Sequence, residues 1–144
     1  MFKRILVPTD GSEISTKAAQ TATGLAKLHS AQLYTISVKE PFPYSAISEM
    51  QPVPPQEFYD AQERIAAARV KAVVDAAATA GVTCKGHTVE ALHAWEAILD
   101  HAKAQQCDLI VMASHGRRGV AALLLGSETS RVLTHSEVPV LVVK

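Results

Sequence analysis

The residues best suited to do chemistry lie near the end of the chain, in residues 112–130. This stretch, MASHGRRGVAALLLGSETS, directly follows an apolar run and contains three glycines, two adjacent arginines and a Gly-Ser step. Glycine lets a backbone approach a bulky anion closely, and the free amides and dipole of a helix N-terminus attract negative charge. If Gly126 and Ser127 begin a helix, the stretch predicts a phosphate site. The alternative is a turn and a helix that only need small residues.

The spacing inside this stretch supports the phosphate interpretation. Nine residues separate Gly116 from Gly126, and their VAALLL portion predicts a short apolar helix that folds the two anion-binding ends together. Arg117 or Arg118 could add charge-assisted hydrogen bonds to phosphate, although exposed arginines are usually just solvated. His115 lies inside the same candidate cradle. Neither a Walker A loop nor a dinucleotide G-x-G-x-x-G fingerprint is present in the sequence.

A second candidate group, Asp10, follows the first apolar run in the segment PTDGS. A carboxylate there could accept hydrogen bonds from both hydroxyls of a ribose, or help to hold a magnesium ion. Asp10 or Ser12 could instead cap the helix that follows, since Asp10 and Glu13 have the spacing of a capping arrangement. Both roles are compatible because a carboxylate has two oxygens.

Alternating apolar runs and helical patterns predict the elements that position these groups. The predicted strands are residues 5–7, 32–38, 82–89, 109–112 and 138–143. Helical periodicity marks Ala18, Ala22, Leu25 and Ala26, then residues 56–80, the stripe from Leu92 to Ala102, and residues 127–135. This alternation predicts one α/β domain over residues 1–144: a doubly wound, five-stranded parallel sheet of order 3-2-1-4-5 with helices on both faces.

In such sheets the ligand crevice lies beyond the carboxyl ends of the strands. Asp10, Val38 and the stretch of residues 112–130 all follow or end strands there, so we expect them to meet. Residues 40–56, which hold five of the seven prolines, cannot form a regular helix or a central strand. They predict either a mobile surface connection or a flap beside the crevice.

Composition narrows the function classes. The chain has 144 residues, of which 48% are hydrophobic and 19% charged, and its formal net charge is zero, which argues against a nucleic-acid partner. The apolar run before Pro8 is too short for a signal peptide or a membrane span. The two cysteines are widely spaced in the sequence, and we expect free, buried thiols of a reducing compartment. We therefore expect a cytoplasmic protein with no membrane partner.

The six histidines have no zinc-site spacing, and surface or ligand-adjacent positions are expected for them.

Three separated elements give the chain a family resemblance over essentially its whole length. They are VPTDGS at residues 7–12, the pattern A-x2-G-x9-G-S from Ala113 to Ser127, and VPVLVV at residues 138–143. In this order they resemble the universal stress protein family, whose nucleotide-binding members carry G-x2-G-x9-G-[ST] after the fourth strand. Ala113 replaces the first glycine. An alanine there costs little if its φ is negative, and about 1 kcal/mol or more if its φ must be positive.

The resemblance implies a site for ATP or another adenine nucleotide, with Mg²⁺ held through Asp10 and the nucleotide. It implies that Asp10 meets the ribose and that the backbone around Pro8, Thr9 and Val38 meets adenine. The residues that would line the ribose and phosphates are Met112, Ala113, Ser114, His115, Gly116 and Arg117. Those that would close on the phosphate chain are Gly126, Ser127, Glu128 and Thr129.

The same resemblance implies a binding and regulatory module of a stress response. It also implies a homodimer paired through residues 138–143, although those residues fit an interior strand equally well from sequence alone. One alternative is an interaction scaffold of the same fold that needs no nucleotide. Another is a weak ATPase, which the sequence favours less: Ser12 stands where a dehalogenase-type phosphatase has its second aspartate, and only Glu128 lies near the phosphate loop.

Overall fold

The computed structural model describes residues 1–39, 41, 56–117 and 125–144. In these residues five strands alternate with four helices. The strands are β1 Arg4–Pro8, β2 Gln32–Lys39, β3 Cys84–Glu90, β4 Leu109–Ala113 and β5 Val140–Val143. The helices are α1 Glu13–His29, α2 Gln56–Thr79, α3 Ala94–Ala104 and α4 Ser127–His135. Three predicted features fall outside the described residues. They are Arg118, the predicted helix VAALLL except Leu125, and residues 40–56 except Pro41 and Gln56.

The strands form one parallel sheet of order β3-β2-β1-β4-β5, which confirms the predicted fold class and strand order. Side chains alternate between the two faces along each strand. Ile5 and Val7 of β1 therefore join a core under α1 and α2, whereas Leu6 joins a second core under α3 and α4. All three are fully buried, so β1 is covered on both faces. Because these strands are parallel, the carboxyl ends of β1, β2 and β4 lie at one edge of the sheet, where the candidate residues are.

All five strands differ from their predicted bounds by one or two residues, and the differences at β3 and β4 are the informative ones. The predicted third strand begins two residues too early, because Val82 belongs to the C-terminal cap that follows α2. Gly81 has φ +81°, and the Val82 amide donates to the Ala77 carbonyl at 2.9 Å. This is the hydrogen-bond pattern of a Schellman cap, whose residue after the glycine is commonly apolar. At the other end of the sheet β4 continues to Ala113, which pairs with Val143.

Strand β5 lies at the edge of the sheet, so the interior alternative for residues 138–143 is wrong. The strand itself begins at Val140, after Pro139, which has no amide to contribute to a ladder. Leu141 remains 40% exposed. An apolar edge strand with an exposed leucine is a surface on which another strand can pair.

Both thiols are free in the structure: Cys84 is half-buried and Cys107 is buried. Burial raises the pKa of Cys84 to about 12 and that of Cys107 to about 11, so both stay protonated and unreactive at neutral pH. None of the helices in the described ranges is both long enough and apolar enough to cross a membrane.

Candidate functional site

The turn after β1 positions Asp10. The Thr9 amide donates to the Ile36 carbonyl of β2 at 2.9 Å, and Gly11 then adopts φ +79°, a conformation that glycine takes without strain. Ser12 is the N-cap of α1, and its hydroxyl accepts the Ser15 amide at 3.2 Å. The capping role considered for Asp10 is therefore wrong, because that role belongs to Ser12. Asp10 Oδ1 instead accepts the Ser12 amide at 3.0 Å.

The second carboxylate oxygen of Asp10 reaches the loop after β4. Asp10 Oδ2 accepts the Arg117 amide at 2.7 Å, which joins two segments 107 residues apart. A Cβ at Gly116 would lie only 2.9 Å from the same oxygen, so glycine permits this close approach. Arg117 thus contributes its backbone amide to the site, and its guanidinium group is not needed for this contact.

Gly126 brings the far end of the same loop against its beginning. Its amide donates to the Ser114 carbonyl at 2.6 Å. A Cβ there would lie 3.1 Å from His115 Cα and 3.3 Å from the Ser114 carbonyl oxygen, and both of these are backbone atoms. The two glycine-containing ends of the loop are therefore in contact, as the sequence predicts.

Gly126 is also the N-cap of α4. The first helical hydrogen bond to it comes from the Ser130 amide at 2.9 Å, so the amides of residues 127–129 precede the helical ladder. Ser127 is exposed at this end. The free amides and the helix dipole make the turn electropositive without any charged side chain.

The other two predicted residues of this turn are tied to the protein itself. Thr129 is 2% exposed, and its hydroxyl donates to the Ala113 carbonyl at 2.8 Å. Glu128 Oε2 accepts the Trp95 amide at 2.7 Å, at the start of α3. No local sequence signal indicates this last contact, since the donor is a backbone amide on another helix.

Ala113 is compatible with its place in the pattern. Outside the glycines of the described ranges, φ is positive only at Ser30 and Gln106, so the penalty for a left-handed alanine does not arise. Ala113 is the last residue of β4 and is 9% exposed. The replaced glycine therefore introduces no backbone strain at this edge of the sheet.

The electrostatics of Asp10 favour its charged form. Burial raises the pKa of Asp10, but hydrogen bonds from Ser12, Arg117 and Ser15 together outweigh burial and hold the pKa below its usual value. A carboxylate is thus present at neutral pH beside Gly116 and Arg117 of the loop after β4. Each carboxylate oxygen has further acceptor capacity beyond the amides it already binds.

The remaining predicted residues lie along the carboxyl ends of the strands. Pro8 ends β1, and Val38, the residue before the end of β2, is half-buried and packs against the core under α3 and α4. Met112 is buried in the same core. The Ser114 hydroxyl lies 3.2 Å from His115 Nδ1, and His115 is half-buried.

The structure offers no ready-made metal centre in the part of the chain that it describes: no three His, Cys, Asp or Glu side chains there are grouped to hold an ion. The rings of His87 and His101 lie as a pair, with centroids 5.3 Å apart. Mg²⁺ at Asp10 would consequently depend on ligands from a bound molecule.

Comparison with known proteins identifies the family. The model of the universal stress protein family matches residues 1–144. Universal stress protein MJ0531 of Methanocaldococcus jannaschii is 34% identical, over all of this chain and 83% of that protein. The chain belongs to the universal stress protein family.

Two solved structures place the fold of this universal stress protein among known ones. MJ0577, studied as a test case of structural genomics, matches with a TM-score of 0.84 and 28% identity, over 100% of this chain and 96% of that chain. A universal stress protein in complex with cAMP matches with a TM-score of 0.74 and 28% identity, over 99% of this chain and 97% of that chain.

Proposed function

We propose that this chain binds an adenine nucleotide at the carboxyl ends of β1, β2 and β4, and that its occupancy regulates a stress response. The observation that carries the proposal is the hydrogen bond from the Arg117 amide to Asp10. It ties an ionised carboxylate, suited to ribose hydroxyls, to the loop in which Ser114 accepts the Gly126 amide at the electropositive start of α4, suited to phosphate. The solved cAMP complex of a family member, 28% identical, supports an adenine nucleotide as the ligand.

The proposed contacts follow the position of each residue. Asp10 accepts the ribose hydroxyls, and the backbone of Pro8, Thr9 and Val38 borders adenine. Residues 112–117 line the ribose and the first phosphate, and the amides of residues 127–129 hold the rest of the phosphate chain beside Gly126, whose own amide donates to Ser114. ATP is the proposed nucleotide because the amides of residues 127–129 precede the helical ladder of α4 and are available to several phosphate oxygens. Mg²⁺ would then be shared between Asp10 and the phosphates.

Hydrolysis has less support than binding. Glu128 is the carboxylate closest in sequence to the phosphate-binding turn, and it accepts the Trp95 amide at 2.7 Å. A carboxylate engaged in this way is poorly placed to activate water. We therefore propose binding as the working function.

Thermal unfolding with and without Mg-ATP tests the proposal. Because a ligand stabilises only the folded state, nucleotide at about 100 times its Kd should raise Tm by about 5 °C or more. Mass spectrometry of ligand released from the purified, denatured protein would name the nucleotide. An unchanged Tm at millimolar ATP and millimolar cAMP would contradict the proposal.

We further propose that two copies pair through their β5 strands, since β5 is an apolar edge strand on which Leu141 is 40% exposed. Leu141→Lys should shift the protein from dimer to monomer in size-exclusion chromatography with light scattering. Leu133→Lys is the matched control, because Leu133 is 42% exposed but lies on α4. A monomeric wild-type protein would contradict the dimer.

A further inference from the structure

Glu128 occupies an unusual position, at the first turns of two helices. It is the second residue of α4, and its carboxylate reaches the amide of Trp95, the second residue of α3. The residue before α3, His93, forms no side-chain capping hydrogen bond within the described part of the chain. Glu128 therefore supplies across space the acceptor that an N-cap side chain usually provides.

A second contact joins the same two helices. The ring of Trp95 stacks on the ring of His135 near the end of α4, with centroids 4.7 Å apart and planes 26° from parallel. The Glu128 hydrogen bond and this ring contact therefore hold both ends of α4 against Trp95, in the first turn of α3. The start of α4 is also fixed to the end of β4, because Thr129 donates to the Ala113 carbonyl and Gly126 donates to the carbonyl of the next residue, Ser114. Gly126, Glu128 and Thr129 therefore all anchor the turn whose amides are proposed to bind phosphate.

We propose that Glu128 is a positioning residue: it orients the first turn of α4 for phosphate and links phosphate occupancy to the start of α3. The proposal rests on the proposed nucleotide site and assigns the side chain of Glu128 a role other than contact with the nucleotide. Binding geometry depends on neighbours that lock the contacting groups in place. A phosphate drawn to the amides of residues 127–129 pulls on the turn that carries Glu128, and Glu128 passes this shift to Trp95.

Ligands with and without phosphate separate this role from a general structural one. In Glu128→Ala the acceptor is lost, so Kd for ATP should rise by about fivefold to tenfold, whereas Kd for adenosine stays within about twofold of wild type. Glu128→Gln keeps an acceptor oxygen and should restore ATP binding to within about twofold of wild type. Glu96→Ala is the control, because Glu96 is an exposed carboxylate in the first turn of α3.

Trp95 is the single tryptophan of the chain and reports the link directly. Saturating ATP should change its fluorescence in wild type and in Glu128→Gln but not in Glu128→Ala, and adenosine should change it in none of them. Isothermal titration calorimetry gives the affinities, and circular dichroism checks that each variant is folded.

Three results would overturn the inference while leaving the proposed function intact. They are ATP affinity unchanged in Glu128→Ala, equal losses for ATP and adenosine, and a Glu128→Gln variant as weak as Glu128→Ala. A wild-type protein that binds neither ATP nor adenosine would overturn the proposed function and this inference together.

Discussion

Asp10 and Asp108 connect β1 and β4 at opposite ends of these strands. Asp10 lies at their carboxyl ends and Asp108 at their amino ends. Asp108 lies just before β4, and its two oxygens accept the amides of Lys3 and Arg4 at 2.9 and 3.1 Å. Asp10 lies just after β1 and accepts the amides of Ser12 and Arg117 at 3.0 and 2.7 Å. In both cases one carboxylate binds two backbone amides and joins segments more than one hundred residues apart.

The surroundings of the two carboxylates differ. Asp108 follows the end of α3, where the helix dipole is negative, and the Arg4 side chain beside it donates to the Gln105 carbonyl at 3.0 Å. Asp10 lies beside Gly116 of the loop after β4, and the beginning of that loop contacts Gly126 at the positive start of α4. A carboxylate that binds backbone amides thus becomes part of a candidate site only where the neighbouring backbone leaves room and attracts anions.

The largest expected effect on nucleotide binding comes from a substitution that displaces the anion-binding turn at the start of α4 and leaves Asp10 unchanged. In Gly126→Val the new side chain would press on the backbone of Ser114 and His115, so the turn must move. We expect Kd for ATP to rise by about 100-fold, measured by calorimetry. Gly24→Val is the control, because a Cβ at Gly24 meets no atom within 4 Å. Retained affinity in Gly126→Val would mean that the phosphate site lies elsewhere.

Neutralising each aspartate tests the contrast itself. Asp10→Asn should raise Kd for ATP about tenfold, because the charged acceptor for the ribose is lost. Asp108→Asn should leave Kd unchanged and lower the free energy of unfolding by about 1–3 kcal/mol, because its amide contacts are purely structural. Calorimetry and urea unfolding provide the two measurements. Equal effects of both substitutions on Kd would remove the distinction between the two ends of the strands.

The pH dependence of stability offers a smaller effect at Asp10. Since the pKa of Asp10 in the folded protein is lower than its usual 3.8, its carboxylate stabilises the fold fully at pH values well above 3.8. That contribution is lost as the pH falls through the lower folded value. The difference in unfolding free energy between wild type and Asp10→Asn should therefore be constant near neutral pH and shrink below about pH 4. A difference that grows on acidification would contradict this sign.

The smallest effect is expected at Ala113, the position where the family pattern has glycine. Because Ala113 has no positive φ, Ala113→Gly should leave Kd for ATP within about twofold of wild type and lower the free energy of unfolding by about 0.5–1 kcal/mol. Calorimetry and urea unfolding again measure both. A clear gain in affinity would show that the methyl group, and not only the backbone, limits nucleotide access at this edge.

The sequence predicts the fold better than the contacts of the site. Helix α4 is predicted to the residue, because Gly126 marks its start and Pro139 soon follows its end. Val82 is misassigned to β3 because an apolar residue in a helix cap has the same composition signal as one in a strand. Local patterns therefore give the elements and leave their boundaries uncertain by a few residues.

The contacts of the site that the sequence does not indicate share one physical cause. Asp10, Gly116 and Gly126 are visible in the sequence because their side chains, or lack of them, are distinctive. The partners of Asp10 and Glu128 are the backbone amides of Arg117 and Trp95, and every residue except proline has such an amide. Only the fold shows which amide donates to which carboxylate. The Arg117-Arg118 pair suggests contacts through guanidinium groups, but the hydrogen bond to Asp10 comes from the backbone amide of Arg117.

The pairing of β1 with β4 has a consequence for how the chain is made. β1 is synthesised before the other four strands, yet one of its two neighbours begins only at Leu109. Until that residue is available, the apolar β1 has an unpaired edge, which is a template for aggregation. We therefore expect fragments that end before β4 to aggregate. Asp10 cannot meet Arg117 in such fragments, so the proposed nucleotide site can form only after residue 117 has been made.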